Sequence, residues 1–243
     1  DTSKEAAAEA SRDEFIAHIS HELKTPLHTM GMYIEELQGS AANDEAFRVE
    51  GLNVLQDETE RMADLINNIL SITKIENGSL AIDRQRVKLA DLLNDALANV
   101  KRSEKAKGIT FVADVPKEVG AVAIDKNLMR VAINNLLTNA IKYNRPGGSV
   151  SLELEELQES VRIAVKDSGI GIAEEDKPNI FDKFYRSEDD SVRERTGHGL
   201  GLALVRDIVN LHNGKISVNS ELDKGTEFII EFYKESDQLR KAG

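Results

Sequence analysis

The chain has 243 residues, a formal net charge of −12 and no cysteine. The acidic balance excludes a bulk nucleic-acid binder, which needs a basic face against phosphates. The missing cysteine excludes disulfides and thiolate metal sites, and no apolar run approaches the ~20 residues that span a bilayer.

Residues 3–38 read as one long helix: Phe15, Ile19, Leu23, Leu27, Met30, Ile34 and Leu37 recur every three or four positions. Pro26 lies inside that pattern and predicts a kink one turn past His21. Turn residues follow at 38–43, then a second helix over 44–76 with a seam of Leu52, Leu55, Thr59, Met62, Ile66, Ile69 and Thr73. A lone hairpin cannot bury both seams, so a two-fold dimer forming a four-helix bundle is expected. Gly78 stands where a helix C′ glycine belongs.

Beyond it the period changes. A short strand near 82–87, a helix over 89–105, strands at 109–113 and 121–124 and a helix over 127–143 are expected. A hairpin (149–157, 160–166), a charged loop at 187–196, a helix over 199–212 and strands near 214–219 and 226–233 complete the chain. The fold class is α+β: a helical hairpin, residues 1–76, followed by a layered α/β domain, residues 77–243.

Five histidines are present, and a satisfied core or surface role is the ordinary fate of each. His21 differs because of its neighbours. Glu22 can accept from the ring's Nδ1–H, which leaves Nε2 as the free lone pair. Thr25, four residues on, shares the helix face and brings a hydroxyl that can position water. A nucleophile of this kind needs an electrophile, and three downstream segments look like parts of a nucleotide pocket. Asn135 and Asn139 lie on one helix face with Lys142 and Tyr143 close behind. An Asn carbonyl suits a hard cation that bridges phosphates, and a lysine is a point charge for the phosphate itself. Asp167, Gly169 and Gly171 follow a strand. Gly197, Gly199, Leu200 and Gly201 open a helix, where free N–H groups attract anions. No βαβ context supports a dinucleotide site there.

The run from Phe15 to Leu27 resembles the H-box of bacterial two-component sensor histidine kinases. The later segments resemble that family's N-box, its two glycine boxes and, at Phe181–Arg186, its F-box. The resemblance covers roughly residues 10–235 and implies a Bergerat-type ATP-binding sandwich behind the dimerising hairpin. It implies that His21 takes a phosphoryl group from ATP and passes it to an aspartate of a response-regulator receiver domain. By the same match Glu22 assists, Thr25 serves a phosphatase reaction, Asn139 holds Mg²⁺, and Asn135 lies near the phosphates. Tyr143 packs by the nucleoside, Asp167 binds the adenine amino group, Arg186 reaches the terminal phosphate, and Thr226 belongs to the last nucleotide turn. The expected partners are a second copy and a response regulator, with no nucleic acid. The chain opens on Asp1 with no initiator Met, so a cytoplasmic fragment is expected, joined to a membrane only through segments outside it. An ATP-gated clamp without phosphohistidine, or a scaffold without turnover, are the rival readings.

Overall fold

The computed structural model describes residues 2–39, 43–103, 106, 108–193, 195 and 197–234. It divides into two compact units, Asp1–Leu70 and Ser71–Gly243.

The first unit is a hairpin of α1 (Thr2–Gln38) and α2, which runs Glu45–Glu76 and passes its last turn to the second unit. Asp44 caps α2, its carboxylate accepting from Phe47 N–H at 3.1 Å. The helices are antiparallel: Tyr33 stacks on Phe47 with ring centroids 5.8 Å apart, and Thr59 Oγ1 donates to Met30 Sδ at 3.7 Å. Leu37 packs over Gly51, where a Cβ would stand 3.1 Å from it. Helix α1 continues through Pro26, which is buried. Ile16, Leu27, Ile34, Leu52 and Ile66 stay exposed, so much of the two seams faces outward from the hairpin. At the end of α2, Gly78 adopts φ +62° and the N–H groups of Ser79 and Leu80 both return to Lys74 O.

The second unit holds β1 (Gln85–Val87), α3 (Leu89–Lys101), β2 (Thr110–Asp114), β3 (Val122–Ile124) and α4 (Lys126–Lys142). Strands β4 (Ser149–Glu156) and β5 (Ser160–Asp167), helices α5 (Asp190–Arg193) and α6 (Gly201–Leu211), and strands β6 (Lys215–Glu221) and β7 (Gly225–Tyr233) follow. The main sheet runs β2-β4-β5-β7-β6; β2 and β4 are parallel, the other pairs antiparallel. Strands β1 and β3 form a separate antiparallel pair. Alternate residues of the central strands are buried, among them Val150, Leu152, Val161, Ile163, Phe228 and Ile230. They share the core with Leu93, Met129, Ile133, Leu137, Leu204 and Ile208 of the helices, each fully buried aliphatic contributing roughly 1.5–3 kcal/mol.

Three expectations are corrected. The helix expected over 89–105 ends at Lys101, because the apolar spacing that seats it stops at Val100. The strand near 82–87 shortens to Gln85–Val87, since Asp83 N–H is taken by the Asp125 carboxylate at 3.1 Å instead of a ladder. The segment 187–196 is not wholly loop: α5 forms one turn, opened by Asp189, whose carboxylate accepts from Ser191 N–H at 2.8 Å.

Candidate active site

Helix α4 is the floor on which the second unit's motifs meet. It is fixed at its start by Asp125, whose Oδ1 accepts from Asn127 and Leu128 N–H at 2.9 and 3.1 Å. At its end Tyr143 O accepts from Ile170 N–H at 3.1 Å and lies where a Cβ on Gly169 would collide with it. A side chain at Gly169 is therefore excluded, and the turn after β5 closes directly onto the end of α4.

Asp167, the last residue of β5, is buried. Its carboxylate accepts from Gly169 N–H at 2.8 Å and from the backbone of Thr226, its cross-strand partner. Burial raises its pKa from the ordinary carboxylate value to about 6, against the opposing pull of those two bonds. Gly171 (φ +72°) and Gly225 (φ +104°) are in the left-handed region. A Cβ on the first would meet Glu221 O, and on the second Asp167 O. The Thr226 hydroxyl pairs with Ser220 Oγ at 3.0 Å.

The second glycine segment lies along the polar face of α4. A Cβ on Gly201 would stand 2.7 Å from Asn135 Oδ1, and one on Gly197 would meet Lys142 Nζ. Asn135 Nδ2 donates to Val131 O at 2.9 Å, which holds its Oδ1 toward Gly201. Asn139 shares this face and makes no side-chain hydrogen bond to the described residues. Leu200 is fully buried and anchors the segment. Gly199 (φ +67°) faces Phe184, itself at φ +62°, and Phe184 N–H donates to Gly199 O at 2.9 Å. A left-handed phenylalanine costs on the order of 1–2 kcal/mol, held here by its packing against that glycine.

Three cations gather at Tyr143. Lys142 Nζ stands 4.5 Å and Arg195 Cζ 5.9 Å from the ring centroid. Arg186 donates to Gly197 O at 2.9 Å, Val192 O at 2.8 Å and Arg195 O at 2.6 Å. Arg186 thus gathers the backbone carbonyls of Val192, Arg195 and Gly197 around one guanidinium. Arg195 donates to Lys142 O and, at 3.2 Å, to Asn144 O, carbonyls at the end of α4. Burial raises the Tyr143 pKa; Arg186 and Arg195 pull it the other way. Sequence reasoning missed Arg195, because a charged residue in a charged loop carries no local signal of what it caps. Two open surface concavities of this unit, of about 370 and 420 Å³, lie by Lys166, Asn219 and Glu227 and by Ile75, Lys183 and Asn210.

In the first unit the His21 side chain is 81% exposed on α1. Its Nδ1 lies 4.0 Å from Glu22 Oε1, beyond hydrogen-bond range. Thr25 Oγ1 donates to His21 O at 3.4 Å from the next turn. Arg61 on α2, absent from the sequence reading, lies 3.8 Å from Glu22.

Comparison with known proteins gives the family of the chain. Residues 11–78 match the His Kinase A (phospho-acceptor) domain, and residues 124–236 match the histidine kinase-, DNA gyrase B-, and HSP90-like ATPases. The sensor protein kinase WalK of Staphylococcus aureus is 37% identical over 232 residues, covering 95% of this chain and 55% of that protein. The chain therefore spans between 38 and 55% of the length of the curated relatives it matches. The Acinetobacter baumannii histidine kinase AdeS superposes with a TM-score of 0.69 at 20% identity, over 89% of this chain and 98% of AdeS. Histidine kinase ThkA, solved in complex with the response regulator protein TrrA, gives 0.68 at 23% identity, over 91% of this chain and 61% of ThkA. The chain belongs to the two-component sensor histidine kinases and carries their catalytic core: a phospho-acceptor hairpin and an ATPase-type domain. No described helix is long and apolar enough to cross a membrane.

Proposed function

We propose that the chain is an ATP-dependent protein-histidine kinase that phosphorylates His21 and hands the phosphoryl group to an aspartate of a response regulator. The observation that carries this reading is the pairing of an exposed imidazole beside a carboxylate with a separate unit whose glycine turns close on α4 and the buried Asp167. In the reaction, the Nε2 lone pair of His21 attacks the γ-phosphorus, the bond to the β–γ bridging oxygen breaks, and ADP leaves with that electron pair. The ring then carries Nε2–P and Nδ1–H with a positive charge, which Glu22 stabilises until the Nδ1 proton departs.

The residues present fit the nucleotide. Asp167 can accept the adenine amino group, and Gly169, Gly171 and Gly225 leave the backbone room at the base. Gly197, Gly199 and Gly201 present N–H groups at the start of α6 to the phosphates. Asn139, whose carboxamide makes no hydrogen bond to the described residues, and Asn135 would hold Mg²⁺ and phosphate oxygens, and Mg²⁺ when bound would neutralise phosphate charge. Lys142 and Arg186 would place positive charge on the transferring group. For Arg186 this requires release of its bonds to Gly197, Val192 and Arg195, so the 187–197 segment rearranges on nucleotide entry.

Thr25 supports a second activity, hydrolysis of the phosphorylated regulator, with its hydroxyl positioning water one turn from His21. The exposed Ile16, Leu27, Ile34, Leu52 and Ile66 support a homodimer in which two hairpins form a four-helix bundle. The length of the relatives supports a piece of a longer sensor kinase; attachment to a membrane through other segments, with this part on the cytoplasmic side, belongs to the same reading.

Incubation with γ-labelled ATP tests the kinase. An alkali-stable, acid-labile label is expected on the wild type, absent in His21→Gln, and chased onto a receiver domain added afterwards. ATP hydrolysis without protein label would point to an ATP-gated clamp instead.

A further inference from the structure

The imidazole of His21 ends a chain of charges that crosses from α1 to α2. Glu22 Oε1 is 4.0 Å from His21 Nδ1, Glu22 Oε2 is 3.8 Å from Arg61 Nη2, and Arg61 Nη1 is 3.7 Å from Glu58 Oε2. Exposure falls sharply along it: the His21 side chain is 81% exposed, those of Glu22, Arg61 and Glu58 24, 21 and 17%. The reactive ring is in solvent and its carboxylate is sheltered. Glu22 sends one oxygen to the ring and the other to the guanidinium. Left alone, a glutamate samples many rotamers, and the oxygen that faces the ring would spend little time there. A guanidinium offers a rigid planar fork that engages two carboxylates at once, so Arg61 can brace Glu22 against Glu58, one turn away on its own helix. Glu58 Oε2 is buried without a hydrogen bond, and the charge beside it is Arg61.

We propose that Arg61 is a positioning residue for phosphoryl acceptance: it holds the Glu22 carboxylate, and through it the tautomer and heading of the His21 ring. This rests on His21 being the acceptor. Arg61 lies in the first unit, outside the candidate nucleotide site, and faces the ring through Glu22, so its loss should slow the chemical step and leave ATP binding alone.

The test is the initial rate of His21 phosphorylation against ATP concentration in the full chain, for wild type, Arg61→Gln, Arg61→Lys and Glu58→Gln. Arg61→Gln is expected to lower kcat about tenfold or more, within the range of a mispositioned acid–base group, with the KM for ATP unchanged. Arg61→Lys keeps the charge without the fork and should recover part of the rate; Glu58→Gln should lose less than Arg61→Gln. Equal kcat in wild type and Arg61→Gln overturns the proposal. Should Arg61→Gln lose its hairpin fold by circular dichroism, Arg61→Lys decides: an undiminished kcat overturns the proposal. A second readout needs no turnover. The ¹⁵N shifts of the His21 ring in the nucleotide-free chain should favour Nδ1–H in the wild type and move toward the free-imidazole mixture in Arg61→Gln. Identical ring shifts overturn positioning even where the rates differ. A wild type that never labels His21 defeats the kinase reading instead, and the ring shifts still judge Arg61.

Discussion

The backbone N–H of Asp125 donates to Nε2 of His212 at 2.9 Å, while Nδ1 of the same ring pairs with Ile208 O at 2.7 Å. The ring is buried, edge-on to Phe232, and ties the end of α6 to the start of α4. With a carbonyl at Nδ1 and an N–H at Nε2, both bonds require the neutral ring with its proton on Nδ1.

The stability of the second unit should therefore depend on His212. Burial lowers its pKa below the ordinary histidine value, with Arg84 adding to the effect and Ile208 and Asp125 opposing it. The unfolded chain then takes up the proton more readily than the folded one. Stability is full above about pH 6.5 and falls as pH drops below that value, until the folded ring titrates as well. Urea midpoints at pH 7.5 and 5.5 should differ less in His212→Gln than in the wild type. At pH 7.5 that variant should be less stable by roughly 1–3 kcal/mol, the cost of unpaired buried groups.

Asp167 titrates in the opposite sense for stability. Its pKa is raised to about 6, so the stabilising difference exists at low pH and is lost as pH rises through about 6. At pH 7.5 the buried carboxylate costs on the order of 3 kcal/mol relative to the same group unfolded. An amino group donating to it relieves part of that cost. Calorimetric ATP affinity should accordingly strengthen between pH 5.5 and 7.5, and Asp167→Ala should weaken it at least about a hundredfold and flatten the pH dependence. A pH-independent wild-type affinity would count against Asp167 as the adenine acceptor.

Gly225 is irreplaceable for a local reason. Its φ of +104° and the Asp167 carbonyl at its Cβ position make Gly225→Ala both strained and overpacked. The expected loss is roughly 2–4 kcal/mol, read as a drop of roughly 5–15 °C in the melting temperature. Gly147→Ala, with a positive φ but open space around it, should lose less.

Arg195 closes the 187–197 segment onto the end of α4 through Lys142 O and Asn144 O. Arg195→Ala should speed dissociation of a fluorescent ADP analogue several-fold in stopped flow, about what one or two charge-assisted hydrogen bonds supply. Unchanged dissociation would show that the segment opens independently of this contact.

Thr25→Ala should remove regulator dephosphorylation by about tenfold or more and leave His21 labelling within about twofold. The hydroxyl contacts only the His21 carbonyl among the described residues, so helix stability should barely change. Measuring both reactions on one preparation separates the two activities.

What was legible in the chain was local. Heptad spacing marked α1 and α2 because a helix repeats its faces every three or four residues, and Gly78 marked the end of α2 because left-handed backbone favours glycine. Alternation in 160–166 marked β5, and the glycine turns announced close backbone approaches. Long-range partners could not be read this way. Asp167 meets Thr226 only through the β5–β7 register, Arg195 reaches the end of α4 across 53 residues, and His212 finds Asp125 across 87. Arg61 sat unremarked beside the seam of α2 until the hairpin brought it to Glu22. Periodicity and turn chemistry are properties of neighbours along the chain, so the sequence by itself determined the elements and the residue types available for chemistry. Only the tertiary structure decided which carboxylate is buried, which cation caps which carbonyl and which arginine braces Glu22, because burial and charge pairing depend on what packing brings within a few ångströms.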